Sequence, residues 1–82
     1  MRIYMQTPAD SGEILKFYHL MLQPDLFNNW VFIREQGDQG RSGRISKRYF
    51  PERDQAEAAL LRFRDLQLKR GYQVVFMELH RG

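Results

Sequence analysis

The chain has 82 residues, which is enough for one small domain. It contains no cysteine, so disulfides and thiolate metal sites are excluded, and a reducing compartment is favoured. The first residues lack the pattern of a signal peptide, and no apolar run reaches the length of a membrane span, so we expect a soluble cytoplasmic protein. The net charge is +3, but four bases and no acid lie within residues 41–48, which favours an anionic partner.

The first half of the chain predicts three strands. Residues 2–6 predict a short edge strand, and residues 7–13 are rich in turn formers. The β-branched and aromatic side chains of residues 14–22 predict a second strand, although periodicity alone leaves a helix open there. After a loop at residues 24–29, the alternation of residues 30–35 predicts a third strand.

A glycine-rich loop follows. Gly37, Gly40 and Gly43 punctuate it at intervals of three, and glycine permits the positive φ of a tight reversal. Residues 44–50 then predict a strand. Strict alternation would place Arg44, Ser46 and Arg48 on one side of that strand and Ile45, Lys47 and Tyr49 on the other.

A long amphipathic helix is predicted at residues 52–70. Its apolar residues recur at spacings of three and four and form a stripe of Ala56, Ala59, Leu60, Phe63 and Leu66. Gly71 is a suitable stop, and residues 72–79 predict a last strand. The helix must bury its stripe on the sheet, so the expected fold is α+β, a small antiparallel sheet with one long helix packed on one face, formed by a single domain over residues 1–82.

Three segments together resemble one known family, the WGR domain. KFYHLML is similar to its opening strand, WVFIREQG to the strand that normally ends in Arg-Glu-Trp-Gly-Arg, and FPERDQAEAALLRFRDLQLKRGYQVVF to its helix and final Gly-Tyr strand. The chain looks most like the short bacterial members. The resemblance implies the α+β fold above and a nucleic-acid-binding module.

The resemblance also shows a departure from the family motif. Gly37 and Gly40 match the motif glycines, but Gln36 stands at the Trp position and Asp38 at the Arg position. In the poly(ADP-ribose) polymerases of this family, the motif Trp packs against the terminal nucleotide of a DNA end, and the motif Arg makes contacts near that end and to the catalytic region. A carboxylate at that position opposes a phosphate by the sign of its charge. The loop frame is therefore expected to carry over, and the specific grip on a DNA end is not.

The candidate nucleic-acid-binding residues combine the basic set with the motif position: Arg41, Arg44, Lys47, Arg48, Gln36 and Gly37. Bases on a strand and its loop are suited to phosphate contacts, with DNA favoured over RNA. The alternative is a solvated face that protects a strand edge from association. Trp30 is interpreted as a core or rim aromatic, with base stacking as its alternative role.

Nothing in the sequence predicts catalysis. Ser11, Ser42 and Ser46 have no plausible base beside them, and His19 and His80 lie far apart without the spacing of metal ligands. We expect no cofactor, no metal, no small-molecule substrate and no membrane partner. The predicted function is a non-catalytic binding module for nucleic acid, and the alternative is a protein-interaction adaptor that uses the glycine loop; an unrecognised enzyme is the third and least favoured interpretation.

Overall fold

A computed structural model describes residues 1–8 and 14–79, and within them the chain forms a five-stranded antiparallel sheet with a helix on one face. The elements are β1 (Arg2–Gln6), β2 (Lys16–Pro24), β3 (Trp30–Asp38), β4 (Arg44–Phe50), α1 (Arg53–Lys69) and β5 (Gln73–Glu78). The strand order across the sheet is β4-β3-β2-β1-β5. The α+β prediction is confirmed. Residues 9–13, most of the predicted turn, and His80 lie outside the described residues.

The prediction that residues 2–6 form an edge strand was wrong. β1 lies between β2 and β5 and pairs antiparallel with both. Its inward-facing side chains, Ile3 and Met5, are completely buried. After the helix the chain forms β5. This strand pairs with one edge of β1, and β2 pairs with the other edge. This pairing joins the two ends of the chain, so the pattern of five local residues could not reveal it.

Strand β3 is longer than the sequence predicted. Gln36 and Asp38 were assigned to a loop, but both lie in the strand, since the ladder with β2 continues through Tyr18 opposite Gln36 and Lys16 opposite Asp38. The glycine between them does not end the strand, because its backbone still pairs with β2. The connecting loop is therefore shorter than expected, and the motif positions stand on a rigid element.

The core lies between the sheet and α1. Its sheet side comes from alternate residues of three adjacent strands, and its helix side from one stripe of α1, so the buried apolar set includes Ile3, Met5, Tyr18, Leu20, Leu22, Phe32, Ala56 and Leu60. Phe63 is half-buried and packs against this set. Its ring meets Tyr18 edge-on with centroids 5.0 Å apart and lies 6.0 Å from Phe32. Such edge-to-face geometry is favourable beyond the area that it buries.

The predicted stripe was wrong at Leu66, which is 53% exposed, whereas the neighbouring Gln67 is 1% exposed. The side chains that face the sheet follow the spacing Ala56, Leu60, Phe63, Gln67. This spacing of four, three and four is as helical as the predicted one, so pattern alone cannot choose between them. The helix is rotated by about one residue at its C-terminal end, and Leu66 is left on its flank.

The end of α1 agrees with the prediction from Gly71. Gly71 has φ of +97°, its N–H donates to the Leu68 carbonyl, and the Tyr72 N–H donates to the Gln67 carbonyl. These two bonds form a Schellman motif, in which glycine takes the left-handed position. The turn directs the chain from the end of the helix back towards the sheet. Among the described residues, no helix has both the length and the apolar character needed to cross a membrane.

The face of the sheet opposite the helix is partly covered by its own side chains. The Tyr4 ring stacks on Phe17 at a centroid distance of 5.8 Å and meets the His19 ring edge-on at the same distance. Burial lowers the pKa of His19, and the guanidinium of Arg2 lowers it further, against the opposing effect of Glu35. His19 therefore favours its neutral form in the folded chain.

Replacing Phe63 with Ala should lower the free energy of unfolding by roughly 2–4 kcal/mol, somewhat below the cost at a fully buried site. The matched change, Leu66→Ala, should cost less than about 1 kcal/mol, because that side chain packs little in the fold. Urea unfolding followed by circular dichroism measures both. Equal losses for the two variants would show that the helix is rotated as the sequence pattern suggested.

Acidification should destabilise the fold through His19. Its folded pKa is below the ordinary value of 6.5, so the unfolded chain takes up the proton first as the pH falls, and stability is lost from about pH 6.5 downwards until the folded pKa is passed. Urea unfolding of the parent and of His19→Gln at about pH 8 and about pH 5 separates this effect from carboxylate titration. The variant should lose less stability than the parent between the two pH values, and an identical loss would contradict the assignment.

Candidate nucleic-acid interface

The sheet divides the basic set predicted from the sequence. Arg44 and Arg48 lie on the helix side of β4, where they stand opposite Gln36 and Phe32 of β3. Lys47 has the other parity and stands opposite Ile33, so it belongs to the face away from the helix. The strand register therefore agrees with the alternation of side chains that was predicted for β4. The four basic residues do not form one cluster.

Arg41 and Arg44 share a groove at the loop end of the sheet, which we call the loop groove. It has a volume of about 560 Å³ and is formed by the adjacent ends of β2 and β3, the loop, the start of β4 and the end of α1. Its lining residues are Lys16, Phe17, Tyr18, Gln36, Gly37, Asp38, Arg41, Ser42, Gly43, Arg44, Arg70 and Tyr72. Of the six residues predicted as a site, Arg41, Arg44, Gln36 and Gly37 thus come together here.

The three glycines of the loop have different roles. Gly40 has φ of +83°, as predicted for a reversal. Gly37 and Gly43 do not have positive φ. Glycine is needed at these two positions because a Cβ there would lie too close to neighbouring atoms. A Cβ on Gly37 would lie 3.1 Å from the Cα of Gly43, and a Cβ on Gly43 would lie 2.7 Å from Cγ of Glu35 and 3.0 Å from the carbonyl oxygen of Gln36. The loop therefore returns directly against β3.

Gln39 fastens the loop to the rest of the sheet. Its N–H donates to the Leu15 carbonyl over 2.7 Å. Its side-chain oxygen accepts hydrogen bonds from the Tyr4 hydroxyl and the Gln6 amide, each at 3.1 Å. These contacts lie on the face away from the helix, and Arg41 and Ser42, which follow Gly40, are exposed. No local pattern of residues indicates this role.

The charge of the loop groove is predominantly positive. Lys16, Arg41, Arg44 and Arg70 line it, and Asp38 is the carboxylate among its lining residues. The ion pairs found within the described residues, Arg53–Glu57 and Arg64–Asp65, involve none of these bases. The groove therefore presents guanidinium and ammonium groups that suit an anion. Sequence reasoning missed Arg70, because it lies at the helix end rather than on the basic strand.

Tyr72 adds a neutral donor to the same groove. Burial raises the pKa of its hydroxyl, and nearby Tyr18 raises it as well; Arg70 has the opposite effect, and Asp38 raises it slightly. The hydroxyl therefore stays protonated at neutral pH and can donate a hydrogen bond to an anionic oxygen. The Schellman turn places Tyr72 here, immediately after the helix.

The two altered motif positions face this groove. Gln36 and Asp38 have the same parity as Tyr18, which is on the helix side of the sheet, whereas Gly37 has the opposite parity. Both side chains line the loop groove together with Arg41 and Arg44. An amide and a carboxylate thus occupy the positions from which an aromatic ring and a guanidinium would project.

Arg48 lies in a second depression between α1 and strands β3 and β4, which we call the helix groove. Its volume is about 410 Å³, and Arg34 and Arg62 line it together with Arg48. Trp30 is a half-buried rim aromatic, as interpreted from the sequence, with the guanidinium of Arg53 5.5 Å from its ring centroid. Within residues 1–8 and 14–79, no three His, Asp or Glu side chains are grouped so as to hold a metal ion.

Comparison with known proteins agrees with this geometry. The family model of the WGR domain matches residues 1–77, which is nearly the whole chain. WGR domains form a family of binding domains known as nucleic-acid-binding modules. No curated protein and no solved structure matches the chain at a level that indicates relationship.

Proposed function

The chain belongs to the WGR domain family, and from this premise we propose that it is a non-catalytic module that binds DNA through its loop groove. The observation that carries the proposal is the convergence of Lys16, Arg41, Arg44 and Arg70 on one groove, where Asp38 is the single carboxylate among the described lining residues. These bases come from β2, the loop, β4 and the end of α1, so the fold gathers them from distant parts of the sequence.

The proposed contacts are made to phosphates. Arg41 and Arg44 are exposed and can each pair with a phosphate through two parallel hydrogen bonds. The Tyr72 hydroxyl and the backbone of the glycine loop add neutral donors. Contacts of this kind fix a protein on a nucleic acid without reading its sequence, so we expect binding with little sequence preference and strong dependence on salt. We propose that such a protein acts in the cytoplasm, since a chain without cysteine suits a reducing compartment.

Asp38 favours a second candidate function, a protein-interaction adaptor. Its carboxylate faces the groove where a family motif carries a guanidinium, and it would repel a phosphate that approaches closely. An adaptor would use Gln36 and Asp38 to hydrogen-bond a protein partner. The two candidates differ in one measurement, since DNA affinity that collapses with added salt supports the first, and a stable protein partner without DNA affinity supports the second.

Changing Arg41 and Arg44 together to Ala should weaken binding to all DNA sequences alike. Each lost phosphate contact should reduce the slope of log K against log salt by about one unit, since fewer counterions are released. Fluorescence anisotropy with a labelled duplex over a range of salt concentrations measures both the affinity and the slope.

Lys47→Ala is the matched control for that experiment, because it removes one positive charge from the same strand but from the opposite face. Its effect on affinity should be small, and the salt slope should stay close to that of the parent. If Lys47→Ala changes the slope as much per charge as the double variant does, only the overall charge matters, and the loop groove is not the binding site.

Restoring the family motif should strengthen affinity for DNA ends. The variant Gln36→Trp with Asp38→Arg gains an aromatic face and replaces a carboxylate with a guanidinium. Both side chains project into the loop groove and not into the core, so the strand should tolerate them even though they do not lie in a loop. Affinity should rise more for linear duplexes than for closed circles of the same sequence. A folded variant that binds ends no better than the parent would make the adaptor function the preferred one.

A further inference from the structure

The helix groove combines an apolar floor with a basic rim. Phe32 and Phe50 approach it from the sheet, and Phe63 and Leu66 approach it from the helix. Leu66 is more than half exposed. The small side chains of Ala58 and Ala59 leave the space open that a larger residue on the helix would fill. Its volume of about 410 Å³ lies in the range of small-molecule sites.

Two arginines of the rim are held in place by the aromatic residues of the floor. The guanidinium carbon of Arg34 lies 4.8 Å from the ring centroid of Phe63, and that of Arg48 lies 5.1 Å from the centroid of Phe50. A guanidinium that rests on a ring keeps its N–H groups free at the edge of its plane. Because these side chains are already positioned, an anion that binds them immobilises little further.

The rim is basic throughout the part of it that the structure describes. Arg34, Arg48 and Arg62 line the groove, and none of the described lining residues is an acid. The ion pairs of the described residues involve none of the three. Three guanidinium groups around an apolar, partly aromatic floor suit a ligand that joins a flat ring to an anionic group.

We propose that the helix groove binds one unpaired nucleotide, with its base on the apolar floor and its phosphate at the arginines. A base within a duplex presents only its edges, because its faces are stacked on its neighbours, so it cannot enter such a groove. An unpaired base exposes both faces. The proposal therefore predicts a preference for DNA that contains an unpaired nucleotide.

This inference rests in part on the proposed function. Arg44 of the loop groove and Arg48 of the helix groove lie on the same face of β4. A DNA strand held at the loop groove could place a neighbouring unpaired nucleotide in the helix groove. The same chemistry, a base joined to a phosphate, is also offered by a free mononucleotide, so the experiment includes both sources.

The first experiment compares ligands on the intact protein. Binding is measured by anisotropy for a fully paired duplex, for the same duplex with one bulged nucleotide, and for the same bulge without its base. The bulged nucleotide should tighten binding by about tenfold, the effect of roughly one stacked base, and the abasic bulge should lose this gain. In NMR titrations, adenosine monophosphate should shift the amides of Ala58 and Arg62 more strongly than inorganic phosphate does.

The second experiment uses two variants that act by different means. Ala58→Phe fills the groove at an exposed helical position, and it should abolish the tenfold gain while leaving affinity for the paired duplex unchanged. Arg62→Gln keeps the groove open but removes one charge, and it should weaken binding of the bulged duplex by about fivefold, the loss of one charge-assisted contact. Lys47→Gln, on the other face, is the control for the lost charge and should leave the gain intact.

The possible outcomes separate the two proposals. If the paired duplex binds with the expected salt dependence but the bulge gives no gain, the helix groove does not bind a nucleotide, although the loop groove still binds DNA. If no duplex binds but the mononucleotide shifts Ala58 and Arg62, the proposed function fails and the groove is a site for free nucleotides. Phosphate that binds as tightly as the mononucleotide, or shifts centred on the loop groove, would overturn the inference.

Discussion

The packing of Phe63 against the sheet determines where the grooves of this protein lie. Its ring meets Tyr18 on β2 and Phe32 on β3, so it holds the middle of α1 over the centre of the sheet. Tyr18 in turn packs against Tyr72 with ring centroids 5.0 Å apart, which fixes the chain just after the helix. The loop groove lies on the Tyr72 side of this cluster, and the helix groove lies on the side of β4. Both grooves are therefore bounded by residues that this aromatic cluster holds in place.

The same packing explains how a protein with a small net charge concentrates positive side chains on one side of its sheet. Arg44 and Arg48 lie two pleat repeats apart on one face of β4. The helix adds Arg62 and Arg70 on the same side of the sheet. Two acidic side chains of the helix pair with arginines of the same helix, in Arg53–Glu57 and Arg64–Asp65. Seven cations outside these pairs line the two grooves: Lys16, Arg34, Arg41, Arg44, Arg48, Arg62 and Arg70. The net charge of +3 therefore understates the positive electrostatic potential that an anion would meet at the two grooves.

Local features of the structure could be predicted from the sequence because they follow from local physics. The bounds of β4 and the end of α1 are set by alternation and by Gly71, and the predictions for them agree with the structure. The rotation of α1 could not be predicted, because Leu66 and Gln67 lie on equally regular stripes and only the packed sheet chooses between them. The central position of β1 depends on a partner strand that lies 67 to 76 residues further along the chain, from Gln6 opposite Gln73 to Arg2 opposite Glu78, and no local pattern encodes such a pairing.

The residues of the candidate site could likewise be predicted only where they form a local pattern in the sequence. Arg41 and Arg44 could be identified from their sequence neighbourhood, since a basic run beside glycines is a local signal. Arg70 and Tyr72 could not, because they reach the loop groove only through the packing of α1. Gln39 was missed for a related reason: an exposed glutamine has no distinctive pattern, and its role follows from the approach of Tyr4 and Gln6 on another strand.

The pairing of β1 with β5 has a consequence for how the protein folds while it is being synthesised. β1 leaves the ribosome before the other strands of this sheet, and it receives its second neighbour only when residues 73–78 have also emerged. Until then, one edge of β1 has unpaired backbone groups, and such edges invite association with other chains. The nascent chain therefore completes this sheet only after the helix and β5 have been synthesised, and a pause in translation after the helix would lengthen the time during which that edge stays open.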